Sequence, residues 1–140
     1  MKRAEVLGMI TSEIPTIAIA GTHGKTTITS MVAHILHEAG LQITAFIGGI
    51  ANNFNSNLVL SEQSSWIVVE ADEFDKSFLL LNPDIAVISS MDADHLDVYG
   101  SHALMQQQYN QFADGIKEKG ILIHKTALPI TTTRTTSTYN

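Results

Sequence analysis

Thr16-Ile17-Ala18-Ile19-Ala20 is an unbroken β-prone apolar run, and it stops abruptly at Gly21-Thr22-His23-Gly24-Lys25-Thr26-Thr27. A run without polar alternation reads as a strand buried on both faces, as in a parallel sheet. Beyond the turn, Ile28, Met31, Val32, Ile35, Leu36 and Ala39 follow the spacing of an amphipathic helix, and Gly40 is a suitable stop for it. Strand, glycine turn and helix start together make a phosphate cradle. Glycines let backbone N–H groups approach phosphate oxygens, and the helix N-terminus adds free donors and a positive dipole end. Lys25 then supplies a point charge for the β- and γ-phosphates, and the Thr26 hydroxyl is placed to ligate Mg2+. The general pattern asks for a further glycine where Ile19 stands. Here the loop is shorter, with Gly21 three residues before Gly24. Gly21, Thr22, His23, Gly24, Lys25, Thr26 and Thr27 are therefore the expected nucleotide-binding residues.

The rest of the chain alternates in the same way. Residues 4–10 suit a short lead-in helix. Residues 42–47 read as a second strand ended by Gly48-Gly49, and residues 52–57, with Asn at four of six positions, read as a loop. Trp66-Ile67-Val68-Val69 and Ile85-Ala86-Val87-Ile88 are further strands, with a short helix expected over 77–81 and a turn at Asn82-Pro83-Asp84. Met105, Tyr109, Phe112 and Ile116 lie on one helical face, and Gly120-Ile121-Leu122-Ile123 is the last clear strand. Alternating strands and helices imply an α/β fold, a mostly parallel sheet flanked by helices and similar to the P-loop NTPases. The Thr-rich stretch at 126–140 supports no core by itself, so it is expected to be truncated or disordered beside a domain at 1–125.

Two acidic clusters follow strands. Glu70, Asp72, Glu73 and Asp75 crowd the end of the third strand, and Asp92, Asp94 and Asp97 surround His95 after the fourth. Ligands in open α/β sheets bind at the carboxyl ends of strands, so both clusters are expected to face the cradle. Mg2+ takes oxygen ligands shared between carboxylate, hydroxyl, water and phosphate. Glu70 is the leading metal ligand because it comes directly off its strand. His95, held among aspartates, is a candidate for a second divalent ion, directly or through water. For any single acidic residue the ordinary alternative is a solvated loop charge.

Composition narrows the function further. The net charge of −6 gives no general attraction to nucleic acid or to an anionic membrane. The absence of cysteine excludes a disulfide scaffold, a thiolate metal site and a cysteine nucleophile. No apolar run approaches the roughly 20 residues of a spanning helix, so a soluble cytoplasmic protein is expected.

Taken together, Gly21 to Thr26, the segment from Val69 to Leu79, and Asp92-Ala93-Asp94-His95-Leu96-Asp97 resemble the ordered motifs of the Mur ligase family. Gly48-Gly49 resembles the family's paired glycines at the sugar-nucleotide pocket, and Arg3-Ala4-Glu5 is similar to the helix before its loop. The resemblance covers residues 3–123 and is nearest to the alanine-adding branch. It implies a truncated central ATP-binding domain, a fragment of a ligase that joins UDP-N-acetylmuramate to L-alanine through an acyl phosphate, in cell-wall precursor synthesis. ATP and Mg2+ are the implied cofactors. Lys25, Glu70 and His95 are the implied catalytic residues, and Thr26, Glu70 and His95 the metal ligands. His23, Gly48, Gly49 and Asn52 are implied on the muramic-acid side. The partners implied are the two substrates and the missing N- and C-terminal domains of the same enzyme, without which the fragment is expected to ligate nothing.

Two departures from the family pattern stand out. Ser90 stands near where the family often has Asn. No lysine lies between His95 and Lys117, which removes the carbamylated lysine that several members use at the second metal. Two other functions remain in view, besides a purely structural α/β domain with a vestigial loop. One is the recycling ligase that adds a whole peptide to the same sugar nucleotide; the run Ser77-Phe78-Leu79 favours the alanine adder over it. The other is a P-loop regulatory module, although the Asn-Lys-x-Asp motif of guanine-specific switches is absent.

Overall fold

The structure, a computed structural model, describes residues 1–51, 56–92 and 100–140. In chain order it contains α1 (Arg3–Glu13), β1 (Thr16–Ala20), α2 (Lys25–Glu38), β2 (Ile43–Ala51), β3 (Ser56–Val59) and β4 (Trp66–Glu70). A 3-10 helix (Phe74–Leu80), β5 (Ile85–Ile88), α3 (His102–Asp114), β6 (Ile121–Lys125) and β7 (Thr135–Tyr139) follow. The strands form one sheet in the order β3-β2-β4-β1-β5-β6-β7. β1 pairs in parallel with β4 on one side and β5 on the other, so the cradle leaves the sheet between two other strand ends. Among the described residues only β3 runs antiparallel.

The sheet is covered on both faces. Alternate residues of its strands supply two cores, as the two-residue period of a strand requires. Ala18, Ala20, Val69, Ala86, Ile88 and Leu122 pack with Phe78, Tyr109 and Phe112 from the 3-10 helix and α3. Phe78 meets Tyr109 edge-on at 5.5 Å and stacks on Phe112 at 5.2 Å between ring centroids. On the other face Ile43, Ala45, Ile47 and Val68 pack against Ala33 of α2. Met105, Tyr109, Phe112 and Ile116 are all buried, as their spacing indicates. Among the described residues no helix is long and apolar enough to cross a membrane.

Five details differ from the expectations drawn from sequence, the first being that β2 runs through Gly48-Gly49 to Ala51 and is not ended by them. In α2 the buried side chains are Thr29 and Ala33, with Val32 and Leu36 partly covered, while Met31 and Ile35 are more than half exposed. Small residues let the helix lie close to the sheet, and periodicity alone does not say which edge of an apolar stripe will do so. Of the expected loop at 52–57, residues 52–55 lie outside the described residues, but Ser56 and Asn57 open β3. Backbone pairing with β2 overrides their turn-favouring side chains there. The helix expected at 77–81 is the 3-10 segment, which starts earlier, at Phe74. Finally, the Thr-rich stretch is not disordered throughout. Thr135–Tyr139 pairs in parallel with β6 over its whole length although all five side chains are exposed. Threonine suits a pleated surface, and the ladder holds the strand without a core contribution. Just before it, Arg134 donates to the carbonyls of Ile116 and Asp114 at the end of α3, while Leu128 and Ile130 pack on the main core.

Candidate phosphate-binding site

The turn after β1 is fastened to the end of β5. Thr22 N–H donates to the Ser90 carbonyl, and His23 N–H donates to Ser90 Oγ at 2.9 Å. Ser89 Oγ donates to the His23 carbonyl at 2.7 Å, and Asp92 N–H donates to Thr22 Oγ1 at 3.0 Å. Gly21 makes this contact possible. Its φ is +137°, and a β-carbon there would collide with Ser89 Oγ. Ser90 thus supplies a hydroxyl that meets both the Thr22 side chain and the His23 backbone.

Lys25 opens α2 directly after Gly24 and turns its side chain back beneath the loop. Nζ donates to the Gly21 carbonyl at 2.8 Å and to Glu73 Oε1 at 2.9 Å. Glu73 is only 5% exposed. Its second oxygen, Oε2, lies 2.8 Å from Nζ but accepts no hydrogen bond. The ion contact is close while the directional bond is formed by Oε1 alone.

One helical position further on, Thr26 Oγ1 lies 3.0 and 3.1 Å from the two oxygens of Glu70. Gly48 N–H donates to Glu70 Oε2 at 2.6 Å. That approach depends on glycine, since a β-carbon on residue 48 would stand 2.6 Å from each carboxylate oxygen. A hydroxyl oxygen and a carboxylate, the latter oriented by a backbone N–H, form a hard-oxygen donor pair of the kind Mg2+ shares with phosphate and water. Among the described residues no three His, Asp or Glu side chains converge as a metal cage.

The acidic cluster after β4 therefore divides into separate roles. Glu70 faces Thr26, and Glu73 faces Lys25. Asp72 accepts the Phe74 N–H and starts the 3-10 helix. The side chain of Asp75 lies outside the described residues, as do His95 and Asn52. Gly48 and Gly49 lie in β2, on the β4 side of the cradle, whereas His23 is held on the β5 side with its ring 3.6 Å from Asp92. Thr27 is in the first turn of α2 and is exposed. A cavity of about 500 Å³ opens beside Glu70 and Gly48, lined also by Arg3, Phe46, Asp72 and Phe74. Three contributions escape a reading by motif: the Glu73 contact with Lys25, the Ser89-Ser90 clamp and the Gly48 N–H. Each depends on which strands are neighbours, and strand order is not written in local sequence.

A mostly parallel sheet whose central strand releases a Gly-Lys-Thr turn between two other strand ends defines a phosphate-loop α/β domain. The model of the Mur ligase middle domain matches residues 19–138, and the chain belongs to the Mur ligase family. It is 54% identical over 129 residues to a UDP-N-acetylmuramate--L-alanine ligase of Flavobacterium psychrophilum, covering 92% of this chain and 29% of that protein. The chain thus spans less than a third of the length of that relative. A solved UDP-N-acetylmuramate:L-alanyl-gamma-D-glutamyl-meso-diaminopimelate ligase from Neisseria meningitides is similar with a TM-score of 0.86 and 25% identity, over 96% of this chain and 49% of that one. The MurF ligase of Thermotoga maritima, solved in complex with ADP, shares the fold with a TM-score of 0.70 and 16% identity, over 98% of this chain and 36% of its own.

Proposed function

We propose that this chain is the ATP-binding central domain of a cytoplasmic ligase that joins L-alanine to UDP-N-acetylmuramate, with residues 126–140 belonging to that domain. The observation that carries the reading is the meeting of Thr26 and Glu70 one helical position from Lys25. The similarity to ligases of that name, at 45–54% identity, supplies the substrate class.

In this reading the carboxylate of the sugar nucleotide attacks the γ-phosphorus of ATP, ADP leaves, and an acyl phosphate results. The alanine amine then adds to the acyl carbon, and phosphate departs. Lys25 steadies the transferring phosphoryl group, whose charge develops most strongly in the transition state. Thr26 and Glu70 would hold Mg2+, and Gly48 N–H fixes the orientation of the carboxylate. When bound, the ion offsets repulsion between the phosphates and the incoming carboxylate. The clamp from Ser89 and Ser90 keeps the loop in place before any ligand arrives. Gly48 and the cavity beside it, whose lining holds Lys2 and Arg3 as well as Glu5, Glu70 and Asp72, are assigned to the sugar-nucleotide acceptor. His23, Gly49 and Asn52 are assigned to the same substrate, and His95 to a second divalent ion. The remaining parts of the enzyme, before and after this domain, complete the substrate sites, so the chain alone binds nucleotide weakly and forms no amide.

A peptide-adding ligase is the second reading, favoured by the TM-score of 0.86 to the Neisseria enzyme. The greater sequence identity to the alanine-adding ligases places it second. The test is phosphate release by the full-length protein with ATP and UDP-N-acetylmuramate, supplied with L-alanine or with the tripeptide as amine. Turnover with L-alanine that falls at least about a hundredfold in Lys25→Ala is expected. Turnover with the tripeptide alone would replace this reading by the second. Equal turnover in Lys25→Ala would remove the loop from the chemistry.

A further inference from the structure

The Lys25 ammonium is already occupied. Two of its three protons point to Gly21 O and Glu73 Oε1, and Glu73 Oε2 is also in contact with it. The partner is a buried carboxylate that holds the ammonium with both oxygens, Oε1 through an aligned hydrogen bond and Oε2 through an ion contact at 2.8 Å. A buried charge is costly to leave without a partner, so such a pair opens only when another charge takes the place of one member. This one has the form of one state of a pair that exchanges partners.

We propose that Glu73 is a latch on Lys25, a positioning residue that holds the ammonium withdrawn under the loop until the nucleotide phosphates displace it. The inference rests on the reading of the loop as a nucleotide site. Glu73 is the fixed member of the pair. The segment that follows it is tied down by Phe78 N–H and Ser77 Oγ, which both donate to the Asp72 carbonyl, and by the Lys76 N–H bond to the Glu73 carbonyl. Gly8 of α1 also packs so closely on the 3-10 helix that a β-carbon there would stand 2.7 Å from the Leu80 carbonyl oxygen. Lys25, on a flexible four-carbon stem, is the member able to move. A ligand carrying enough negative charge at the loop competes with the Glu73 carboxylate for the same ammonium. A singly charged anion competes poorly. Glu73 thereby makes affinity depend on phosphate charge and keeps the lysine from being captured by stray anions.

The test is MgADP binding by calorimetry to the full-length ligase, in wild type, Glu73→Gln, Lys25→Ala and the double variant, with thermal melting of each. Glu73→Gln keeps the shape and removes the competing charge. It is expected to tighten MgADP by about tenfold, the scale of one lost charge-assisted hydrogen bond. Structural damage would weaken binding instead. In the Lys25→Ala background the same substitution is expected to change nothing, since there is no ammonium to release. Glu73→Asp, which draws the carboxylate back by one methylene, is expected to tighten binding less than Glu73→Gln, and it serves if the glutamine variant does not fold. Equal tightening in both backgrounds would show a general field effect and overturn the latch. Unchanged or weaker binding in a folded Glu73→Gln protein would also overturn it. If wild type and Lys25→Ala bind MgADP equally badly, the reading of the loop has failed, and the latch with it.

Discussion

Gly48→Ala isolates the contact between β2 and the proposed magnesium ligand. The added β-carbon would stand 2.6 Å from both oxygens of Glu70 and 2.7 Å from its Cδ, so the carboxylate has to retreat. In doing so it loses the 2.6 Å bond from Gly48 N–H and shifts against Thr26 Oγ1. A hydrogen bond to a charged group contributes about 1.5–3 kcal/mol, and exposure of residue 48 places this one at the low end. Replacing a strand glycine by alanine returns about 0.5–1 kcal/mol of backbone entropy. The fold is therefore expected to lose about 1 kcal/mol or less. The metal site bears the larger effect, because removing a group that orients a ligand typically costs about 10–100-fold in metal affinity. The assay is ATP-dependent phosphate release by the full-length ligase titrated with Mg2+, alongside chemical denaturation without nucleotide. The activation midpoint should move to at least about tenfold higher Mg2+ while the denaturation midpoint barely changes. A midpoint within about twofold of wild type would refute the argument that Gly48 serves Glu70.

Other substitutions probe separate parts of the structure. Gly21→Ala combines a φ of +137° with a collision against Ser89, so it should cost about 2–4 kcal/mol by denaturant melting and lose MgADP binding by calorimetry. Ser90→Ala removes the acceptor for His23 N–H and the partner of Thr22 Oγ1, with an expected loss of about 1–2 kcal/mol in the same melt. Phe78→Ala empties the space between Tyr109 and Phe112 and should cost about 3–5 kcal/mol, the largest change among these variants.

The fold was legible in the sequence wherever a segment carries its own signal. β1, β4, β5 and β6 are apolar runs bounded by turn residues, and the face of α3 is written in Met105, Tyr109 and Phe112. The cradle was legible because strand, glycine turn and lysine are contiguous. What failed depends on partners distant in sequence. β7 looks featureless as Thr135-Thr136-Ser137-Thr138-Tyr139 and becomes a strand through the ladder offered by β6. The buried side of α2 is set by the small residues Thr29 and Ala33, which hydropathy ranks below Met31 and Ile35. Glu70 stands out in the sequence because it leaves its strand directly. Glu73 was visible as one acid among four, and nothing local marks it as the residue that reaches Lys25.

The contacts that shape the cradle join distant stretches of chain: Thr26 to Glu70 across 44 positions, Lys25 to Glu73 across 48, His23 to Ser90 across 67 and Thr22 to Asp92 across 70. Closing such long loops costs entropy that is recovered only when the strands have paired. A nascent chain that has emerged only as far as α2 therefore carries every residue of the glycine turn and none of its clamps. If the turn binds nucleotide as proposed, recognition is expected only after β5 has been added, so capture of nucleotide during synthesis would mark the moment at which the central strands are complete.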